Sequence, residues 1–188
     1  MIRQDLIDAY SSPARHYHNL RHIEDCLGQL STVEGLSAEE RQILQDAIWW
    51  HDAVYDAARN DNEERSAGLA ERNVPEHRRA EVCRLIHLTK SHRVEAGDRL
   101  GSIMISIDLS ILGAEPAIYK DYAAAIRREY AHVPDEAYRA GRAAVLKRFI
   151  AMQEIFPYAP FAERYDRRAR DNLMSELATL EPIDARPR

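Results

Sequence analysis

Apolar residues recur at spacings of three and four through most of this chain, and that period belongs to helices. Between Ala14 and about Leu30 they fall at Tyr17, Leu20, Ile23, Leu27 and Leu30. Ile43, Leu44, Ala47, Ile48 and Trp50 form a second stripe, opened by Ser37 and Glu40 in the spacing of a capping box. Only 15 of the 188 residues are glycine or proline. Few of them interrupt the stripes, which argues against a turn-rich β-sandwich. Pro13, Pro75, Pro116 and Pro134 instead stand where helices begin.

The pattern predicts helices over 2–10, 14–30, Ser37 to about Tyr55, and a segment carrying Glu63, Ser66, Leu69 and Ala70. Further helices are expected from Pro75 to about His92, Pro116 to about His132, Pro134 to about Phe156, and over 161–180. The stretch GSIMISIDLSILGAEP (101–116) is the ambiguous one, because Ile103, Ile105, Ile107, Leu109 and Ile111 alternate as in a strand. No second alternating run exists to pair with it, and Leu100, Met104, Ile107 and Ile111 also fit a helical period. A helix is therefore expected. The sum is an all-α fold, a single bundle-like domain of about eight or nine helices over residues 1–182, with a loose tail over 183–188.

Lysine and arginine number 26 against 31 aspartates and glutamates, a formal charge of −5. This mildly acidic balance gives no basic face, so neither a nucleic-acid partner nor an anionic membrane is expected. The basic run RYDRRARD (164–171) reads as a solvated face with internal ion pairs. No apolar run reaches the roughly eighteen residues of a membrane span. The opening MIRQDLIDAY lacks the apolar centre of a secretion signal, and a cytoplasmic location is expected. Cys26 and Cys83 read as small buried thiols of a reducing compartment. Tyr119, Tyr122, Tyr130 and Tyr138 suit helix packing or a subunit contact, the basis for expecting a homodimer.

Chemistry enters through polar residues in apolar surroundings. His51 and Asp52 follow Trp49 and Trp50, and Asp108 lies between Ile107 and Leu109. Buried carboxylates are costly unless paired with a cation. A divalent ion between the two relieves their repulsion. His18 and His22 stand four apart, on one face of the expected helix, and either is placed to add an imidazole. Such a mixed nitrogen and oxygen set suits Mn²⁺, Fe²⁺, Co²⁺, Ni²⁺ or Zn²⁺ better than Mg²⁺ or Ca²⁺.

Four pieces, YHNLRHIEDCL (17–27), AIWWHDAVYD (47–56), DNEERSA (61–67) and SIMISIDLSILG (102–113), together and in order resemble the HD-domain superfamily, in its branch of predicted metal-dependent phosphohydrolases. The resemblance covers about residues 10–115. It implies a helical fold around a divalent cation held by a histidine, a His-Asp pair and a distant aspartate, which match His22, His51, Asp52 and Asp108. Hydrolysis of a phosphate ester, of a nucleotide or another small phosphorylated metabolite, is the implied activity. The chain departs from members that bind two metals. No clear second histidine follows the His-Asp pair, although Glu63 is a substitute, and His92 stands near a position for a second metal or for substrate. One metal is expected, so a diiron oxygenase is the less favoured enzyme. A non-catalytic sensor or interaction module with a retained metal site is the other alternative.

Within that reading, Asp52 both binds metal and orients the water. Lys90 and Arg93 are the leading cations for a phosphoryl group, followed by Arg15 and Arg59. Glu63, His18, His92 and Asp56 are candidates to handle the proton of the leaving oxygen.

Overall fold

The computed structural model describes residues 4–180. Among them nine α-helices and one 3-10 helix form, and no strand. In chain order they are α1 (Gln4–Tyr10), α2 (Leu20–Ser31), α3 (Ala38–Trp50), α4 (Asn62–Asn73), α5 (Glu76–Ser91) and α6 (Arg99–Asp108). A 3-10 turn (Leu109–Gly113), α7 (Pro116–Glu129), α8 (Asp135–Ile150) and α9 (Ala159–Leu180) follow. The all-α expectation holds. The expected tail over 183–188 lies outside the described residues. No single helix among those described is long and apolar enough to cross a membrane.

The ambiguous stretch is helical, and its position explains the ambiguity. Gly101, Ile103, Met104, Ile105, Ser106 and Ile107 are all buried in α6, which packs against α2, α3, α5 and α9. A central helix is apolar on every side, so its sequence carries no amphipathic stripe to separate it from a strand. Each large aliphatic side chain buried there contributes about 1.5–3 kcal/mol.

Three expected boundaries are wrong, each because a tertiary partner takes over the backbone. The second helix starts at Leu20 rather than Ala14, with Asn19 as its cap accepting a hydrogen bond from the Arg21 N–H at 3.0 Å. The N–H groups of Tyr17 and His18 donate instead to the carboxylate of Glu129, 2.7 and 3.0 Å away. The third helix opens on the predicted Ser37–Glu40 capping box but ends at Trp50, not near Tyr55. The Arg15 guanidinium donates to the carbonyls of Asp52 (2.6 Å) and Ala53 (3.0 Å), satisfying acceptors that a continued helix would have used. Likewise α8 stops at Ile150 rather than Phe156, where Arg170 donates to the carbonyls of Ile150, Met152 and Gln153.

The C-terminal helices are held by a polar cluster. Glu176 of α9 accepts from Arg142 of α8 at 2.7 and 2.9 Å and from the Tyr119 hydroxyl of α7 at 2.5 Å. The side chains of Arg142 and Glu176 are 9 % and 10 % exposed, so removing either would strand a buried charge. Trp49 and Trp50 are core residues as expected. Cys26 and Cys83 are both free. Cys26 is buried, but Cys83 is only half-buried, facing the Ala67 carbonyl from α5, so its expected burial is corrected. The basic run forms one internal pair, Arg170 with Asp166, whereas Arg168 reaches out of it to Glu115 and the Gly113 carbonyl.

Candidate metal centre

Helix C-termini carry partial negative charge and favour cations, and three of them meet here. His51 is the C-cap of α3 and Asp52 follows it. His92 is the C-cap of α5, and Asp108 is the last residue of α6. His22 enters from the buried face of α2. His92 has φ 55°, the one non-glycine residue among those described with a left-handed backbone. A conformation that costs on the order of 1 kcal/mol thus places its ring beside Asp108, Nε2 to Oδ2 at 3.5 Å.

The four sequence-predicted ligands come together. His22 Nε2 lies 3.2 Å from His51 Nε2, 3.3 Å from Asp108 Oδ1 and 3.8 Å from Asp52 Oδ2. His51 Nε2 lies 3.1 Å from Asp52 Oδ2 and 3.6 Å from Asp108 Oδ1. Metal–ligand bonds of about 2.1 Å put neighbouring ligand atoms ~3 Å apart. The cluster is therefore close to the spacing that one ion requires. Asp52 Oδ2 is buried without a well-aligned hydrogen bond, which is how a ligand atom looks when its partner is a cation. Cys26 joins His22 and Asp108 in an overlapping group, with Sγ 3.7 Å from His22 Nδ1. Burial and the nearby Asp108 push its thiol well above the ordinary range, so it stays protonated and is the weaker donor.

The electrostatics of the cluster follow from its packing. Burial opposes charge on the Asp52 carboxyl, yet facing His51 and His18 it is held well below the usual carboxylate range. Asp108, also opposed by burial, is held down by the imidazoles of His22, His51 and His92. Burial likewise disfavours a charged His51, but Asp52 and Asp108 overcome it and raise the imidazole well above its ordinary value. A proton there does in part what a divalent ion does fully.

Three of the cluster residues, His51, Asp52 and Asp108, line a cavity of about 610 Å³, a size suited to a small molecule. His18, Tyr55, Glu63, Lys90 and His92 line it, as do Tyr122, Tyr130 and Tyr138. Those three tyrosines face this cavity, which corrects their assignment to helix packing or a subunit contact alone. Arg93 is exposed and does not line it. The left-handed turn at His92 sends the chain away before Arg93. Lys90 lines the rim, but its ammonium binds the Glu64 carboxylate and the Asn60 carbonyl. Arg59 is paired with Asp61, Arg15 is committed to backbone carbonyls, and Asp56 accepts from the Ala58 N–H.

Sequence reasoning missed Arg148 and Glu129. Arg148 lines the cavity with its guanidinium 5.1 Å from the Phe149 ring centroid and, among the described residues, has no carboxylate partner. Phe149 in turn packs edge-on against His92, at 5.5 Å between ring centroids. Glu129 ends α7, and its buried side chain reaches His18 and Tyr55. An acidic residue among Arg127, Arg128 and Tyr130 gives no periodic signal that it turns inward. His18 and His22 do not share a helical face, because His18 precedes α2.

The chain is thus an all-helical protein whose clustered histidine and aspartate side chains can chelate a metal. No protein-family model, curated protein or solved structure matches it.

Proposed function

We propose that this protein hydrolyses a phosphate ester of a small metabolite, using a divalent cation held by His22, His51, Asp52 and Asp108. The observation that carries this reading is the meeting of those four side chains at a cavity large enough for a small substrate, with His51, Asp52 and Asp108 in its wall and His22 buried behind them. The order and spacing of the four motifs, which resemble the HD-domain superfamily, support it. The donor set of two imidazoles and two carboxylates favours Mn²⁺, Fe²⁺, Co²⁺, Ni²⁺ or Zn²⁺.

When bound, the cation supplies an acidified water as nucleophile and draws electron density from the phosphoryl group. The chain's own residues do the rest. Asp52 orients the water through the carboxylate edge that faces the cavity. Arg148, without an acidic partner among the described residues, binds the phosphoryl oxygens and stabilises charge that builds on them. Lys90 contributes as the outer cation of the rim, and Glu63 lies at the start of α4 beside it.

The test is turnover of a panel of phosphomonoesters, cyclic nucleotides and nucleoside triphosphates by protein loaded with Mn²⁺ or Co²⁺. Hydrolysis of at least one class, lost in His51→Ala and in Asp108→Ala, is expected. A chain that binds metal and turns over none of them is a non-catalytic module, and the proposal fails. Two irons per chain by metal analysis, with oxygen consumption, would point to the oxygenase instead.

A further inference from the structure

The helices α7 and α8 follow each other in the chain but do not pack closely together; each rests on α9 instead. Both line the cavity beside the metal cluster. Their lining residues fall four apart. Tyr122, Ile126 and Tyr130 come from α7 and its C-cap, and Ala137, Gly141 and Val145 come from α8. That spacing puts each trio on one face of its helix. The α8 trio is exposed, and Val145 keeps 38 % of its surface open.

The α8 row continues to Arg148, one turn after Val145. The Arg148 guanidinium lies against Phe149, Phe149 packs edge-on against His92, and His92 faces Asp108. One end of the row is therefore tied to the metal cluster. Ala137, eleven residues back, lies about 16 Å further along the helix axis. A substrate with its phosphoryl group at Arg148 has apolar surface to follow from there.

The charges on these two helices restrict what can follow it. Arg142 lines the cavity but is held by Glu176 at 2.7 and 2.9 Å, and neither α7 nor α8 puts a carboxylate in the lining. Guanidinium groups already lie on the aromatic walls. Arg142 is 5.3 Å from the Tyr122 ring centroid, and Arg127 is 4.5 Å from that of Tyr138. These rings are thus already engaged by cations, and an ammonium guest meets repulsion there. A second anionic group finds only Arg148, which the phosphoryl oxygens use. A polyol would bury its hydroxyls beside Ile126, Val133 and Val145, where these helices offer tyrosine hydroxyls but no carboxamide or carboxylate. Asn60, Asn62 and Glu63 enter the lining at the start of α4 instead.

We infer that the space between α7 and α8 receives an uncharged apolar alcohol, and that the ester this protein prefers is the phosphomonoester of such an alcohol. This rests on the hydrolase reading above. The phosphoryl group lies at Arg148 and the four clustered ligands. The alcohol runs along Val145, Gly141 and Ala137, with the tyrosines of α7 opposite.

The experiment measures kcat/KM of the Mn²⁺-loaded protein for esters that differ in the alcohol alone. For 2-phenylethyl phosphate and hexyl phosphate the value is expected to exceed that for ethyl phosphate by about 100-fold or more. Phosphocholine and glycerol 3-phosphate should stay within about tenfold of ethyl phosphate, because neither gains from an apolar wall. In Val145→Asp and in Ala137→Asp, both at exposed positions, the preference for 2-phenylethyl over ethyl phosphate should fall below about tenfold. A Mn²⁺-dependent thermal shift of wild-type size shows that these variants are folded. Phosphocholine, glycerol 3-phosphate or a nucleoside monophosphate as the best substrate overturns the inference, and so does an undiminished preference in both variants.

A second readout needs neither metal nor turnover. In equilibrium dialysis, chelator-treated wild type should bind 2-phenylethanol, and Val145→Asp should bind it about tenfold more weakly or worse. Equal binding by the two also overturns the inference. Hydrolysis with no preference among the alcohols leaves the hydrolase reading standing and removes this one. If no ester of the wider panel is cleaved, the hydrolase reading and the substrate assignment fall together, and dialysis alone decides whether the space between α7 and α8 takes an apolar guest.

Discussion

His51 Nδ1 lies 2.8 Å from the carbonyl oxygen of Ile48, one turn back in its own helix. The ring therefore donates its Nδ1 proton inward and turns Nε2 toward Asp52 and Asp108, the orientation that second-sphere hydrogen bonds impose on metal-binding histidines. Adding Mn²⁺ or Co²⁺ to chelator-treated protein should raise the thermal midpoint. An ion at a hundredfold excess over its Kd stabilises the fold by about 2.7 kcal/mol. EDTA should reverse the shift, and His51→Ala should abolish it. A metal-dependent shift of wild-type size in that variant would remove His51 from the site.

What the sequence makes legible here is what rests on local period and on ligand chemistry. The helices α3, α4, α5 and α7 follow from caps, prolines and apolar spacing, and the carboxylates Asp52 and Asp108 stand out because their neighbours are apolar. The segment from Ala14 to Asn19 looks helical by the same criteria, yet its N–H groups are claimed by Glu129, 111 and 112 residues away along the chain. Local pattern contains no trace of such a partner. The same holds for Arg148: its lack of a carboxylate partner among the described residues depends on what α8 meets after folding, whereas Lys90 and Arg93 look equally available until Glu64 binds one and the turn at His92 removes the other.

Gly113 and Gly28 should respond in opposite directions to alanine. A Cβ on Gly113 would stand 2.5 Å from the Tyr165 Cβ, where the 3-10 turn meets α9. Relief needs movement of one of those elements, so Gly113→Ala should destabilise by roughly 1–3 kcal/mol. Gly28 lies within α2 with nothing within 4 Å of an added Cβ. Gly28→Ala should stabilise by up to about 1 kcal/mol. Urea unfolding of the two variants beside the wild type measures both. A neutral Gly113→Ala would mean that α9 can move away from the 3-10 turn at little cost.

Glu129 should also govern the acid limb of stability. Burial favours its neutral form, but His18 and the Tyr17 and His18 N–H groups outweigh that and lower its pKa from 4.5 to about 2. The unfolded chain thus takes up this proton at higher pH than the folded one. The stabilisation is present above about pH 4.5 and is lost as pH falls toward 2, and a shift of this size corresponds to roughly 3 kcal/mol. His18, raised from 6.5, has the opposite sign: its share is full below 6.5 and is lost as pH rises through its folded value. The difference in unfolding free energy between wild type and Glu129→Gln should be largest near pH 5–6 and shrink toward about pH 3. A difference independent of pH would mean that the His18 contact contributes no net charge stabilisation.

Gly141 leaves room that substrate can use. It lies within α8, lines the cavity, and an added Cβ there would meet nothing within 4 Å. Glycine inside a helix costs about 0.5–1 kcal/mol relative to alanine, so Gly141→Ala should stabilise the fold. Gly141→Leu puts a larger side chain in the α8 part of the cavity lining, whereas the four clustered ligands come from α2 and the ends of α3 and α6. It should leave the Mn²⁺-dependent thermal shift intact. At the same time kcat/KM should fall more for a nucleoside monophosphate than for ethyl phosphate, because only the larger ester needs that volume. Equal values of kcat/KM in variant and wild type for the larger ester would show that bound substrate never reaches the α8 wall.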